Sequence, residues 1–427
     1  MTRVGIIGLG YVGLPLATAF ADAGLEVRGF DLDQSKIATI AAGGSYIEDV
    51  EAGRLAAHVE SGRFVASADE SILGDCQAIL ICLPTPLDEH QEPDLRFITS
   101  GAETAARNLA DHALVVLESS TYPGTTRELV KPILERDGLT VGVDCFLAFS
   151  PERIDPGNTK FSIRQTPRVV GGITDACTDR ARTLYEHIHD QVHVVSSPES
   201  AEMSKLLENT FRAVNIALVN ELAILCDRMG IDVWETIAAA STKPFGFMPF
   251  WPGPGLGGHC IPVDPFYLTW RAKAFDLTTE FVELAGRINV NMPYYAVQRI
   301  ARALNDDRKS VRGSRILLVG VSYKPNVGDL RESPSLKLLE LLREAGAEVE
   351  YHDPHVARIP DDTLESVLLT EERLRGVDCV VIATDHAAVD LRPVVDAAPR
   401  IVDLRNAVRR ALNESQSGPV PANVDVL

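Results

Sequence analysis

Short apolar runs alternate with amphipathic stretches from the start of the chain: Val4 to Ile7, a helix from about Val12 to Ala23, Glu26 to Phe30, Ala78 to Cys82 and Leu114 to Glu118. Runs apolar at nearly every position need cover on both faces, which a parallel sheet wrapped by helices supplies. A later pair, Arg168 to Val170 and Val192 to Val195, is expected to complete this first sheet. After the polar segment Asn305 to Ser314 the alternation returns, with Arg315 to Val321, a helix capped near Ser333-Pro334, Glu348 to Tyr351, Cys379 to Ala383 and Ile401 to Leu404. The chain is therefore expected to be of the α/β class, with two parallel-sheet domains.

Between them the pattern changes. Ser197-Pro198-Glu199 offers a capping hydroxyl, a proline suited to the first helical position and an acid for the first turn. Met203, Leu206, Leu207, Val214, Leu218, Leu222, Leu225 and Met229 follow at three-to-four spacing until Gly230, which predicts one long helix. The Pro- and Gly-rich stretch Lys243 to Pro265 is not expected to be regular, and helical pattern resumes around Thr278 to Leu304. The expected domains are residues 1–196, a central helical region 197–305 and residues 312–427, with a mobile tail from Asn413.

A length of 427 residues, 45% hydrophobic, allows two to three domains with buried cores. A net charge of -19 argues against nucleic-acid or anionic-membrane partners, which require a positive surface field. Seven cysteines without Cys-x-x-Cys or zinc-finger spacing read as reduced thiols, and no metal site is expected. A first strand close to the initiating Met leaves no room for a signal peptide, and no apolar run reaches the roughly 20 residues of a membrane span. A soluble, cytoplasmic protein is expected.

Gly8-Leu9-Gly10-Tyr11-Val12-Gly13 is a G-x-G-x-x-G that follows a strand and opens a helix. Its glycines permit a tight turn and close approach of a pyrophosphate to the helix N-terminus, where free N–H groups and the dipole favour an anion. Asp31, at the end of the next strand, suits both ribose hydroxyls and would repel a 2′-phosphate, which favours NAD over NADP. By itself Asp31 could equally be a turn residue. Lys36 could reach the adenosine ribose or simply be a solvated lysine.

Gly257-Gly258-His259-Cys260-Ile261-Pro262-Val263-Asp264 sets a thiol behind two glycines and four residues before a carboxylate. Taken alone, Cys260 reads as a buried small hydrophobe before it reads as a nucleophile, and His259 is more often structural than catalytic. Lys205 and Asn209 share a face of the long helix, which by itself reads more readily as a solvated face than as a site. Glu152 follows the strand-like Phe146 to Phe149, and parallel sheets bind ligands beyond such strand ends, although a surface ion pair would look the same.

Taken together these segments resemble the UDP-glucose/GDP-mannose dehydrogenase family from Gly8 to about Arg405: GLGYVGLPLA, SSTYPGTT, SPERIDPGN, SKLLENTFRAVN, GPGLGGHCIPVDP and YKPNVGDLRESPS occur in the family's order and spacing. The resemblance implies Rossmann-like NAD-binding and UDP-sugar-binding domains around a helical dimerisation domain. It implies oxidation of a sugar C6 hydroxymethyl to a carboxylate with two NAD, through a covalent intermediate on Cys260. By the same resemblance Lys205 and Asn209 steady the C6 oxyanion, Asp264 and Thr121 order water or relay protons, and Glu152 orients the water that attacks the thioester. Pro84, Thr85, Thr121 and Arg331 are assigned to the cofactor together with Gly8, Gly10, Tyr11, Val12, Gly13, Asp31 and Lys36. Arg153, Arg212, Phe250, Gly257, Lys324 and Arg405, with Glu152, Lys205 and Asn209, are assigned to the UDP-sugar. The long helix is the family's dimer element, which implies a homodimer or a larger assembly.

One departure bears on the sugar. UDP-glucose dehydrogenases carry a Pro-Glu-Phe-Leu-Arg-Glu segment, whereas this chain has Pro151-Glu152-Arg153-Ile154-Asp155-Pro156-Gly157-Asn158, without the second acid. That pattern resembles the branch acting on UDP-N-acetylhexosamines, and FGFMPFWPGPGLGGHCIPVDPFYL resembles the UDP-N-acetylglucosamine 6-dehydrogenases within it. UDP-glucose and UDP-N-acetylmannosamine are the alternative substrates.

Overall fold

The computed structural model describes the chain except residues 1–2, 48, 89–91, 154–160, 259–260, 262, 361 and 413–418. It divides into two compact units, one of residues 1–208 with 266–278 and one of residues 209–265 with 279–427.

The first unit is built on eight strands: β1 (Arg3–Ile7), β2 (Glu26–Phe30), β3 (Phe64–Ser67), β4 (Ala78–Ile81), β5 (Leu114–Leu117), β6 (Phe146–Phe149), β7 (Arg168–Gly172) and β8 (Val192–Val194). Their order in the sheet is β3-β2-β1-β4-β5-β6-β7-β8. Every residue of β4, β5, β6 and β7 is buried, as expected of strands covered on both faces. All neighbours pair parallel except β6 and β7, which run antiparallel with Ala148 opposite Gly172 and Phe149 opposite Gly171. The start of β7 therefore lies at the carboxyl edge of β5 and β6. Sequence pattern alone gave β7 but not its reversed sense.

Helix α1 (Gly13–Asp22) connects β1 to β2, and α2 (Asp175–Tyr185) packs on β6 and β7. The long helix is continuous as α3 (Pro198–Met229). Two further helices were not expected: α4 (Val233–Ser241), capped by the Asp232 carboxylate on the Trp234 and Glu235 N–H groups, and α5 (Asp264–Lys273). The irregular stretch thus ends before Asp264, because Asp and then Pro make a good first turn. Helix α6 (Glu280–Asp306) accommodates Pro293 in its interior.

The second unit carries β9 (Arg315–Val319), β10 (Glu348–His352), β11 (Cys379–Ile382), β12 (Ile401–Asp403) and β13 (Val424–Val426), all parallel, in the order β10-β9-β11-β12-β13. Ser333 caps α7 (Pro334–Glu344) through its hydroxyl on the Ser335 N–H. The expectation of a mobile tail is corrected at its far end. Val424–Val426 form an edge strand, Trp234 Nε1 donates to the Leu427 carbonyl at 2.5 Å, and Arg299 Nη2 donates to the Val426 carbonyl at 2.8 Å. Residues 413–418 lie outside the described residues. Among the described residues no helix is long and apolar enough to cross a membrane.

Candidate active site

The turn after β1 is built for close backbone packing. Gly8 has φ +90°, and a Cβ there would lie 2.6 Å from the Cys82 carbonyl oxygen. At Gly13 a Cβ would lie 1.8 Å from the Gly8 oxygen, so both positions exclude a side chain. At Gly10 a Cβ would meet nothing within 4 Å, which leaves open space beside the helix start. No side chain caps α1 at Val12 and no acid sits in its first turn, while Tyr11 is 45% exposed. The arrangement fits an anionic ligand over the helix N-terminus.

Asp31 follows β2, with Oδ2 accepting from the Leu9 N–H at 2.8 Å and Oδ1 from the Asp33 N–H at 2.9 Å. The structure brings Lys36 to it: Nζ lies 3.2 Å from the same Oδ2. Thr85 is buried and Pro84 exposed just beyond β4. The Ser119 hydroxyl accepts from the Leu83 N–H and donates to the Leu83 carbonyl, which ties the loops after β4 and β5 together.

Thr121 is buried in the second of these loops, its hydroxyl 2.7 Å from that of Thr125, which donates to the Tyr122 carbonyl at 2.9 Å. The loop is fastened by Glu202 of α3, which accepts from the Gly124 N–H at 2.6 Å, the Thr126 N–H at 2.9 Å and the Thr126 hydroxyl at 2.7 Å. Burial pushes the Glu202 carboxyl up to about 7 against the pull of these donors. From α5, Trp270 packs on Tyr122 at 5.0 Å between centroids and Arg271 pairs with Glu128.

One turn beyond Glu202, Lys205 is buried and donates from Nζ to the main-chain carbonyl of Glu152 at 2.6 Å. The Glu152 carboxylate accepts from the Arg153 N–H at 2.7 Å and from Arg168 Nη1 at 3.1 Å. Arg153 itself pairs with Glu208 at 2.7 Å. Buried Arg168 also meets Glu118, which receives the Tyr185 hydroxyl. Arg168, Glu118, Tyr185 and Glu202 were not singled out from the sequence. The available signal was a charge at one end of each of two apolar runs, Glu118 after β5 and Arg168 opening β7, since charges buried there need partners.

In the second unit Asn209 Nδ2 donates to Asp264 Oδ2 at 2.5 Å, and both side chains are buried. Gly258, with φ +92°, donates its N–H to the Arg331 carbonyl at 2.9 Å, and Cβ atoms on Gly257 and Gly258 would each come within 3.0 Å of Tyr323. The backbone leading to residue 259 is thereby held on the segment that carries Lys324 and Arg331. His259 and Cys260 lie outside the described residues. Arg331 pairs with Asp329 at 2.5 Å, and Lys324 is half-buried. Arg405 pairs with Asp385 at 3.2 Å, and its Nη1 lies 2.6 Å from where a Cβ on Gly253 would fall. Arg212 is exposed, and Phe250 meets Phe211 edge-on at 5.7 Å. A further buried cluster joins His386, whose Nε2 lies 3.0 Å from Asp353, to the Asn326 N–H on Nδ1 at 3.0 Å.

Comparison with known proteins bears on all of this. Residues 2–189 match the NAD binding domain of the UDP-glucose/GDP-mannose dehydrogenase family, residues 199–291 its central domain and residues 317–410 its UDP binding domain. The chain is 38% identical to the UDP-N-acetyl-D-glucosamine 6-dehydrogenase of Pseudomonas aeruginosa, over 83% of each chain. It is 36% identical to the UDP-N-acetyl-D-mannosamine dehydrogenase of Pyrococcus horikoshii, over 90% of this chain and 89% of that one. A solved structure of the UDP-D-ManNAc dehydrogenase from Pyrococcus horikoshii superposes with a TM-score of 0.90 at 33% identity, covering 100% of this chain and 99% of that one. The chain belongs to the UDP-glucose/GDP-mannose dehydrogenase family and is an NAD-dependent nucleotide-sugar dehydrogenase.

Proposed function

We propose that the enzyme oxidises the C6 hydroxymethyl of UDP-N-acetylglucosamine to the carboxylate in two steps, with Cys260 as nucleophile. The observation that carries the reading is that Lys205, Glu152, Asn209 and Asp264 are all buried and hydrogen-bonded in two pairs, Lys205 to Glu152 and Asn209 to Asp264. Buried polar groups are kept only where they are satisfied or used.

The glycine turn from Gly8 to Gly13, with Asp31 after β2, would hold NAD, which would supply the hydride acceptor for each oxidation at C6. The first oxidation leaves an aldehyde. The Cys260 thiolate adds to its carbonyl carbon, and the thiohemiacetal can then lose a second hydride to become a thioester. Water attacks C6, the C–S bond breaks, and the thiolate is returned as the uronate leaves. An ammonium has three donors, so the bond from Lys205 to the Glu152 carbonyl leaves others for the C6 oxyanion. The Asn209 amide has one N–H on Asp264 and a second to offer. Glu152 takes the proton of the attacking water, while Thr121 and Asp264 order water and relay protons. Lys324 and Arg405 bind the uridine diphosphate with Arg153, Arg212, Phe250 and Gly257, and Pro84, Thr85, Lys36 and Arg331 serve the cofactor.

The proposed domains are residues 1–196, 197–305 and 312–427. A second copy of the chain covers the apolar stripe of α3, where Met203, Leu207, Phe211, Leu218, Leu222, Leu225 and Met229 are all exposed. Nothing in the sequence points to a membrane or nucleic-acid partner, and the cytoplasm is the proposed location. UDP-N-acetylmannosamine is the second reading for the sugar, favoured by the likeness to the Pyrococcus horikoshii enzyme.

A panel of UDP-sugars, read by initial rate, NADH yield and product mass, tests the reading. We expect two NADH per sugar and the highest rate with UDP-N-acetylglucosamine. A roughly tenfold preference for UDP-glucose or UDP-N-acetylmannosamine would replace the sugar, since such a rate ratio corresponds to about 1.4 kcal/mol of discrimination between transition states. One NADH per sugar, with activity untouched in Cys260→Ala, would reject the covalent scheme.

A further inference from the structure

Arg168 is one of the largest side chains of the protein to be fully enclosed, at 1% exposure. It opens β7, and the antiparallel count that sets Ala148 opposite Gly172 and Phe149 opposite Gly171 sets Glu152 opposite Arg168 when continued past the last pair. The guanidinium spreads over three strand ends. Nε donates to the Ser150 hydroxyl at 2.7 Å, Nη1 to Glu152 Oε2 at 3.1 Å, and Nη2 to the Ser150 carbonyl at 3.2 Å and to Glu118. Tyr185 closes the cluster, its hydroxyl on Glu118 and its ring 4.8 Å from the guanidinium carbon.

The two acids are not equivalent. Glu118 is fully enclosed and acts as the counter-ion that makes a buried guanidinium tolerable. Glu152 keeps 11% of its side chain open, with Oε2 on Arg168 and Oε1 on the Arg153 N–H. N–H donors on both oxygens fix the plane of the carboxylate. A carboxylate so held can accept the proton of a water and has none of its own to give. Lysine could not do the same, because its donors all sit on one nitrogen, whereas the guanidinium reaches Ser150, Glu152 and Glu118 from three nitrogens of a planar fork.

We propose that Arg168 is a positioning residue for Glu152, setting its aim for thioester hydrolysis without touching the substrate. This rests on the role given to Glu152 above. The test compares E152Q, R168K, R168Q and E118Q/R168Q in the full-length enzyme with NAD and whichever sugar of the panel turns over, following the NADH burst and, by intact mass, the acyl adduct on Cys260. The double variant removes one buried cation and one buried anion together, so the charge balance of the cluster survives if R168Q fails to fold.

In E118Q/R168Q and E152Q we expect the thioester to accumulate and its hydrolysis to slow by about 100-fold, the size of a lost general base, while the burst persists. Hydrolysis in both should then rise with pH as hydroxide replaces the assisted water, and R168K should fall between them and wild type. Unchanged hydrolysis in the double variant, or burst and hydrolysis falling together, would overturn the positioning role alone. Absence of adduct in E152Q, with two NADH per sugar in wild type, would remove the Glu152 role and this inference with it. One NADH per sugar in wild type would remove the whole covalent reading.

Discussion

At Gly10 an added methyl has room, and at Gly13 it has none. Gly10→Ala is therefore expected to leave the melting temperature within a few degrees of wild type while weakening NAD binding by at least about tenfold, since that space is the one proposed for the pyrophosphate. Gly13→Ala should lose the fold of the turn itself, and equal losses of stability in the two variants would contradict the assignment. Glu202 gives a pH signature. Its carboxyl is raised in the folded protein to about 7 from an ordinary 4.5, so its contribution is present below about 4.5 and is lost as pH rises through 7. Comparing the wild type with Glu202→Gln by denaturant titration across pH 5 to 8, the stability of the wild type relative to the variant should fall with rising pH by on the order of 2–3 kcal/mol. A difference constant over that range would show that Glu202 does not titrate there. At this scale the glycine turn and the place of Asp31 after β2 were legible, because both are local to one stretch of chain. Arg168, Glu118 and Glu202 were not, because a buried charge is explained only by partners far away in sequence: Arg168 meets Glu118 from another strand, and Glu202 meets a loop more than seventy residues before it.

Among the elements, α3 was the most readable, from the proline at its first position to the glycine after its last. Its apolar spacing nevertheless serves two faces. Leu206 is fully buried, whereas Leu207, Leu218, Leu225 and Met229 stand open at 61%, 53%, 49% and 61%. Periodicity marks a stripe but not what covers it, and the proposed cover is a second copy. Leu218→Glu with Leu225→Glu should convert the assembly to monomer in sedimentation or light scattering while leaving the melting transition of each chain cooperative. An unchanged mass would place the partner surface elsewhere. Helices α4 and α5 escaped the pattern because each is short, and α5 begins at an Asp-Pro pair at the end of a stretch rich in glycine and proline. The strand β7 was legible and its direction was not, since a short buried run reads alike in either sense. The pairing of Glu152 with Arg168 follows from that direction.

The molecule as a whole closes its second sheet late in the chain. Val424–Val426 form the edge strand β13, and the neighbouring backbone receives Trp234 and Arg299. Removing residues 424–427 strips these bonds and bares the β12 edge, so the truncated protein should melt several degrees lower and aggregate more readily. An unaltered melt would show that the edge strand adds little. Composition gave no hint of this order, because a Ser- and Pro-rich approach resembles a free tail. The two units also exchange chain: residues 209–265 belong to one and residues 266–278 return to the other, bringing Trp270 to Tyr122 and Arg271 to Glu128. During synthesis the N-terminal sheet can therefore assemble its strands but must wait, with Tyr122 and Glu128 uncovered, until the ribosome has delivered a later stretch of polypeptide. That interval, rather than the finished enzyme, is when a chaperone would find the most to hold.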